Sequence, residues 1–139
     1  MLERCHRRLE ETLATLADPT RQALDEALQF IDRSIKRHED DEERSLFPRL
    51  VRVPQLAPLL DRLTVQHRDQ AAAIEDLRAL LDGPRLDPVL AREVVRRLRE
   101  AYDEHIKLEE EELFPAARAA FDADDLGGMA AEMEARRGR

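Results

Sequence analysis

Residues 38–50 read HEDDEERSLFPRL, and residues 105–117 read HIKLEEEELFPAA. Aligned without a gap, the two copies share His38/His105, Glu42/Glu109, Glu43/Glu110 and the run Leu46-Phe47-Pro48/Leu113-Phe114-Pro115. On a helix, residues four apart stand one above the other on one face. Each copy therefore aims an imidazole and a carboxylate at a common spot, which is a metal-ligand arrangement before it is anything else. The closing Phe-Pro predicts the end of each helix, because the residue before a proline is pushed out of helical geometry.

Working outward, every segment repeats a helical stripe. Leu2, His6, Leu9, Leu13 and Leu16 mark a first helix, and Asp18-Pro19 reads as the cap and first position of a second. That second helix carries Leu24, Leu28, Ile31, Ile35, His38 and Glu42. Residues 48–55 read as a loop. A third helix follows with Leu56, Leu60, Leu63, His67, Ile74 and Leu77, and Pro58 falls in its first turn, where proline is tolerated. Asp82-Gly83-Pro84 stops it. Asp87-Pro88 opens a fourth helix with Val94, Leu98, His105 and Glu109. Beyond residue 116, Asp122 is the cap of a short fifth helix with Met129 and Met133 on one face, and Gly127-Gly128 weakens it locally. The expected fold is all-α: an up-down-up-down antiparallel four-helix bundle over about residues 2–115, with a C-terminal capping segment at 116–139, forming a single domain over 1–139.

Composition narrows the function classes. Charged residues make up 39% and aromatics 4%, the usage of long amphipathic helices rather than of a sandwich or barrel. A net charge of −8 argues against nucleic acid, which needs a basic face. The tail Arg136-Arg137-Gly138-Arg139 is basic but short, and fraying is the expectation for it. No apolar run approaches the roughly 20 residues of a membrane span. The single cysteine excludes an intrachain disulfide and fits a reducing compartment, so a cytoplasmic protein, monomeric or weakly dimeric, is expected.

The four histidines, His6, His38, His67 and His105, fall one to each predicted helix and in phase with its leucines. Glu42 and Glu109 continue the same stripe inward, where an unpaired carboxylate is very costly. Cations among them supply the missing charge. The levels agree for two pairs: His38 and His67 centre on the 48–55 loop, and His67 and His105 on residue 86. His6 and His38 centre on residue 22 while the turn signal lies at 18–20, so His6 is the ligand with the poorest register. Four imidazoles and two carboxylates are too many for a structural zinc site and too rich in nitrogen for calcium or magnesium. They suit two transition-metal ions bridged by Glu42 and Glu109, with iron leading and manganese or zinc behind it.

These residues resemble the hemerythrin-like, or HHE cation-binding, family. The resemblance rests on His6, on His38-x-x-x-Glu42 running into Leu46-Phe47-Pro48, on His67, and on His105-x-x-x-Glu109 running into Leu113-Phe114-Pro115. It implies a non-haem di-iron centre with a bridging oxo or hydroxo group, served by His6 and His38 at one iron and His67 and His105 at the other. It also implies O2, peroxide or nitric oxide as the small ligand, to be bound, sensed or turned over, or else iron handling. Oxygen-carrying hemerythrins have a second histidine one turn away on the third helix. Here the positions one turn either side of His67 are Leu63 and Ala71. Tyr102, one turn before His105, and Cys5, beside His6, are the candidates for contacts just outside the ligands.

Overall fold

The computed structural model describes residues 2–138, so Arg139 of the basic tail lies outside it. Four helical rods and a fifth helix account for most of the regular structure, with no strand among the described residues. Helix α1 is Leu2–Ala14. Rod α2 spans 21–50, rod α3 is Ala57–Asp82, rod α4 spans 88–120 and helix α5 is Ala123–Arg136. Packing runs in a ring: α1 on α2, α2 on α3, α3 on α4, and α4 back on α1, with α5 laid against α2. Among the described residues no helix is long and apolar enough to cross a membrane.

Two start signals behave as read. Asp87 accepts from the amides of Val89 and Leu90, with Pro88 in the first turn behind it. Asp122 and Asp125 cap α5 reciprocally, side chain to backbone in both directions. The start of α2 differs from the reading: Thr20, not Asp18, is the cap, its hydroxyl accepting from Ala23 N at 3.1 Å. The non-helical connection is therefore longer than the Asp18-Pro19 signal allows. Extended residues such as Thr20 climb about 3.3 Å each against 1.5 Å in a helix. His6 does reach the height of His38, their Nε2 atoms lying 3.2 Å apart.

The Leu-Phe-Pro runs do not end their helices. Each is preceded by a π-helical turn, Glu42–Leu46 in α2 and Glu109–Leu113 in α4, and the rods continue through Leu50 and Ala120. In these turns Phe47 N bonds Glu42 O and Phe114 N bonds Glu109 O, five residues back. Proline lacks an N–H and crowds the carbonyl four residues behind it. The wider turn opens the backbone at that point, so the helix absorbs Pro48 and Pro115. A third π turn, Ile31–Ile35, precedes His38. Such turns occur mostly as local insertions near functional groups.

The apolar interior is split into two clusters. One holds Leu9, Leu13, Leu24, Ile31, Leu77 and Leu98; the other holds Leu46, Leu50, Leu63, Leu113, Phe114 and Met129. On α2 and α3 the histidine falls between the part belonging to one cluster and the part belonging to the other, and on α4 the change comes just after His105, between Ile106 and Leu108. A polar layer thus crosses the middle of the molecule with dry packing on both sides.

Helix α5 is anchored by arginines. Arg49 bridges Glu132 with two nitrogens, at 2.8 and 3.1 Å, and Arg52 pairs with Asp125. Gly128 leaves room for the first of these, since a Cβ there would meet the Arg49 guanidinium at 2.6 Å and that side chain would have to shift. Arg136 and Arg137 of the basic tail do not fray as expected: they bind Asp41, a fully buried carboxylate of α2, at 3.0 and 2.6 Å. An ionised group at that depth needs a partner, and these two provide it.

Candidate metal centre

All six residues picked from the stripe, His6, His38, Glu42, His67, His105 and Glu109, are buried and converge in the polar layer. The imidazoles meet in two pairs, each through Nε2. His6 and His38 approach to 3.2 Å, and His67 and His105 to 3.3 Å. The carboxylates lie between the pairs. Glu109 Oε1 is 3.0 Å from His6 Nε2, 3.5 Å from His38 Nε2 and 3.1 Å from His105 Nε2. Glu42 Oε1 comes within 2.7 Å of His38 Nε2 and also groups with His67 and His105. Two potential cation sites result, His6–His38–Glu109 and Glu42–His67–His105, each with its ligand atoms within 4.8 Å of one another. Each pair of imidazoles comes from one half of the chain and its carboxylate from the other half.

The proton positions can be read from the outer nitrogens. His105 Nδ1 donates to Gln66 Oε1 at 2.9 Å, and His67 Nδ1 donates to Glu43 at 2.8 Å. With the proton on Nδ1, both Nε2 atoms present lone pairs to each other across 3.3 Å. Two lone pairs at that separation repel unless a cation or a proton sits among them. The carboxylates make the same demand. Both oxygens of Glu42 and Oε2 of Glu109 are buried without a hydrogen-bond partner, the 2.7 Å contact to His38 being close but misaligned. Such a donor set, four imidazole nitrogens with two carboxylates and no thiolate, fits a pair of transition-metal cations.

The field inside the layer is uneven. Burial, followed by the neighbouring His67, His38 and His6, pushes His105 down to about 2. At His38 burial also works against the charged form, but Cys5 and Glu109 outweigh it and hold the ring up to about 9. Burial likewise raises Glu39, which joins neither group. One buried imidazole is thus kept neutral and another kept protonated within a single cluster, a push-and-pull that cations would replace.

The repeated phenylalanines have a use that the sequence did not reveal. Phe47 stacks on His67 with centroids 6.1 Å apart, and Phe114 stacks on His6 at 5.6 Å. Each copy of the motif therefore covers the lone histidine of another helix. Gln66 was also missed; its only signal is adjacency to His67. Gln70, one turn past His67, is fully buried with both amide atoms unpartnered. Tyr102 is buried with its hydroxyl unpartnered, and burial raises the pKa of that phenol. Cys5 is half-buried and lies beside His38. Of the two positions one turn from His67, Leu63 is fully buried in the apolar cluster next to the site, while Ala71 faces outward.

Fold and site together define an all-helical protein with a buried imidazole–carboxylate cluster composed to hold cations. The family model for the hemerythrin HHE cation binding domain matches residues 1–117, and the chain belongs to that family. An uncharacterized protein of Haemophilus influenzae is 35% identical over 119 residues, which cover 82% of this chain and 67% of that protein. No solved structure matches the chain. The family binds metal cations, and the two groups of buried side chains could hold them here.

Proposed function

We propose that this chain is a non-haem di-iron protein that binds or senses O2 or a related small oxidant, peroxide or nitric oxide. The observation that carries the reading is the convergence of two imidazole pairs through Nε2 in the polar layer, with the lone pairs of His67 and His105 facing each other and two buried carboxylates between the pairs. His6 and His38 would hold one iron, His67 and His105 the other, and Glu42 and Glu109 would serve both. Manganese or zinc would fit the same donors less well. When bound, two irons supply electron exchange with a small ligand.

The chain's own residues prepare that exchange. Glu43 and Gln66 fix the tautomers of His67 and His105 so that Nε2 faces inward. Phe47 and Phe114 exclude bulk water from the lone histidines. Gln70 and Tyr102 have hydrogen-bonding capacity left for solvent or a small ligand. Leu63 stands where a further imidazole would leave less room. This favours an open coordination position, and it is the ground for the second reading, a redox enzyme acting as peroxidase, oxidase or nitric-oxide-handling protein. An iron-handling role is the third.

The ring of contacts among the rods is read as an up-down-up-down antiparallel bundle forming one domain over 1–139, with α5 as its cap. A cytoplasmic protein, monomeric or weakly dimeric and without nucleic-acid or membrane partners, is consistent with a charge of −8 and one cysteine. Anaerobic loading with ferrous iron, metal analysis, then exposure to O2 and to peroxide tests the reading. Two irons per chain with a reversible oxygen-dependent band supports binding. Sustained peroxide consumption supports the enzyme. Less than one metal per chain after full loading ends both.

A further inference from the structure

A pocket of about 210 Å³ opens between α1, α2 and the end of α5, outside the histidine cluster. Arg4 and Arg8 of α1, Arg37 of α2 and Arg137 after α5 surround it. In a chain of net charge −8, four arginines in the lining of one small pocket run against the overall balance. Among the described residues, Arg4, Arg8 and Arg37 have no carboxylate within 4.0 Å, whereas Arg7, Arg96, Arg97 and Arg118 do. Arg8 is ordered instead by Phe30, its guanidinium carbon 5.0 Å from the ring centre.

The one carboxylate in the lining, Asp41, is already taken by Arg136 and Arg137. Ser34 adds a hydroxyl to the wall, and His38 lies at the inner end. The Nε2 of His38 faces the candidate metal centre, while its Nδ1 is buried and has no hydrogen-bond partner. His67 and His105 have their outer nitrogens satisfied by Glu43 and Gln66; His38 does not. An imidazole that ligates a metal ordinarily donates its other N–H to an acceptor.

We infer that this pocket binds a small tetrahedral oxyanion of the phosphate and sulfate class, whose oxygens take the guanidiniums and serve as the missing acceptor beside His38. Several acceptor oxygens on one compact ion match several forked donors arriving from different helices, which a single-atom anion cannot do. Bound there, the oxyanion ties α1, α2 and the α5 terminus together at the edge of the histidine cluster.

Calorimetric titration of the purified protein with inorganic phosphate, at ionic strength held constant with chloride, tests this. One saturable site is expected, weakened at least tenfold by the double substitution Arg4→Ala/Arg37→Ala, since charge-assisted hydrogen bonds are each worth about 1.5–3 kcal/mol. Arg85→Ala, on the α3–α4 connection, should leave the affinity unchanged. Metal content per chain is measured alongside and should not move, which separates failure of the pocket from failure of the di-iron reading. Absence of a saturable event, or equal weakening by Arg85→Ala, overturns the proposal. In the unsubstituted protein, hydrogen exchange across residues 2–8 and 33–41 should slow with phosphate and not with chloride. Exchange that is unaltered by phosphate overturns it independently of any variant.

Discussion

His105 can lose its ring and leave the rest of the layer standing. It pairs with His67 and touches Glu109, whereas the His6–His38 pair sits on the far side of both carboxylates. His105→Ala should therefore lose about one of two metals, measured as iron per chain after loading; full occupancy would show the ligand set is wrong. Glu42 offers the opposite trade. With both oxygens buried and unpartnered, it burdens the metal-free fold. Glu42→Gln should raise metal-free stability by about 1–3 kcal/mol, because replacing a buried charge is often stabilising, and should weaken metal loading. Denaturant melts of the metal-free pair check the first half of that statement.

Protonation adds a residue-scale expectation for the metal-free protein. Folded His38 keeps its proton to about 9 against an ordinary 6.5, so its contribution is complete below pH 6.5 and lost as pH rises towards 9. His105, held down to about 2, contributes above pH 6.5 and loses that contribution as pH falls. Together they place a stability maximum near pH 6.5. Urea midpoints at pH 5, 6.5 and 9 should peak in the middle; a steady rise or fall across the three would refute the opposing pair.

At the scale of elements, α5 is the part most exposed to acid. Arg52, helped by the Asp122 backbone, holds Asp125 down to about 2, and Arg49 holds Glu132 to about 2. Carboxyls depressed in the folded state stabilise it above their ordinary pKa and lose that effect as pH falls through the depressed value. Hydrogen exchange in residues 123–136 should accelerate between about pH 4 and 2 before the rest of the chain opens. Asp41→Ala should release the same helix end at neutral pH, at a cost of about 3–5 kcal/mol for breaking a buried pair. Retained protection at Met129 in that variant would mean the arginines are not the anchor.

The elements also show where sequence reading stops. The stripe picked out His67, His105 and Glu109 because an unbroken 3.6-residue period runs up to each of them, and it picked out Glu42 from its four-residue spacing to His38. It could not see the π turns, which insert a residue without any compositional mark, and so it ended two helices at prolines that the rods absorb. His6 looked out of register because a midpoint count treats connection residues as helical, and Thr20 is extended. Asp41 is one of several acids in HEDDEE. Only the tertiary packing selects it as the buried one, and with it the role of Arg136 and Arg137. Gln66 and Gln70 lie on a face whose importance depends on neighbours from other rods.

Across the whole molecule, the polar layer divides the apolar interior and leaves the metal-free protein with repelling groups at its centre. Iron should therefore act as a folding ligand as much as a cofactor. A metal present at a thousandfold excess over its dissociation constant stabilises the fold by about 4 kcal/mol. Melting temperature should rise with ferrous iron and fall again on chelation; a melting point indifferent to both would remove metal from the fold's energetics. The exchange of carboxylates between the halves carries this further. The half containing His6 and His38 borrows Glu109, and the half containing His67 and His105 borrows Glu42. Neither half can complete a cation site alone, so each ion would act as a reversible cross-link between two helical hairpins. A chain severed in the turn at residues 51–53 should then reassemble from its two fragments when iron is supplied and separate when it is withdrawn.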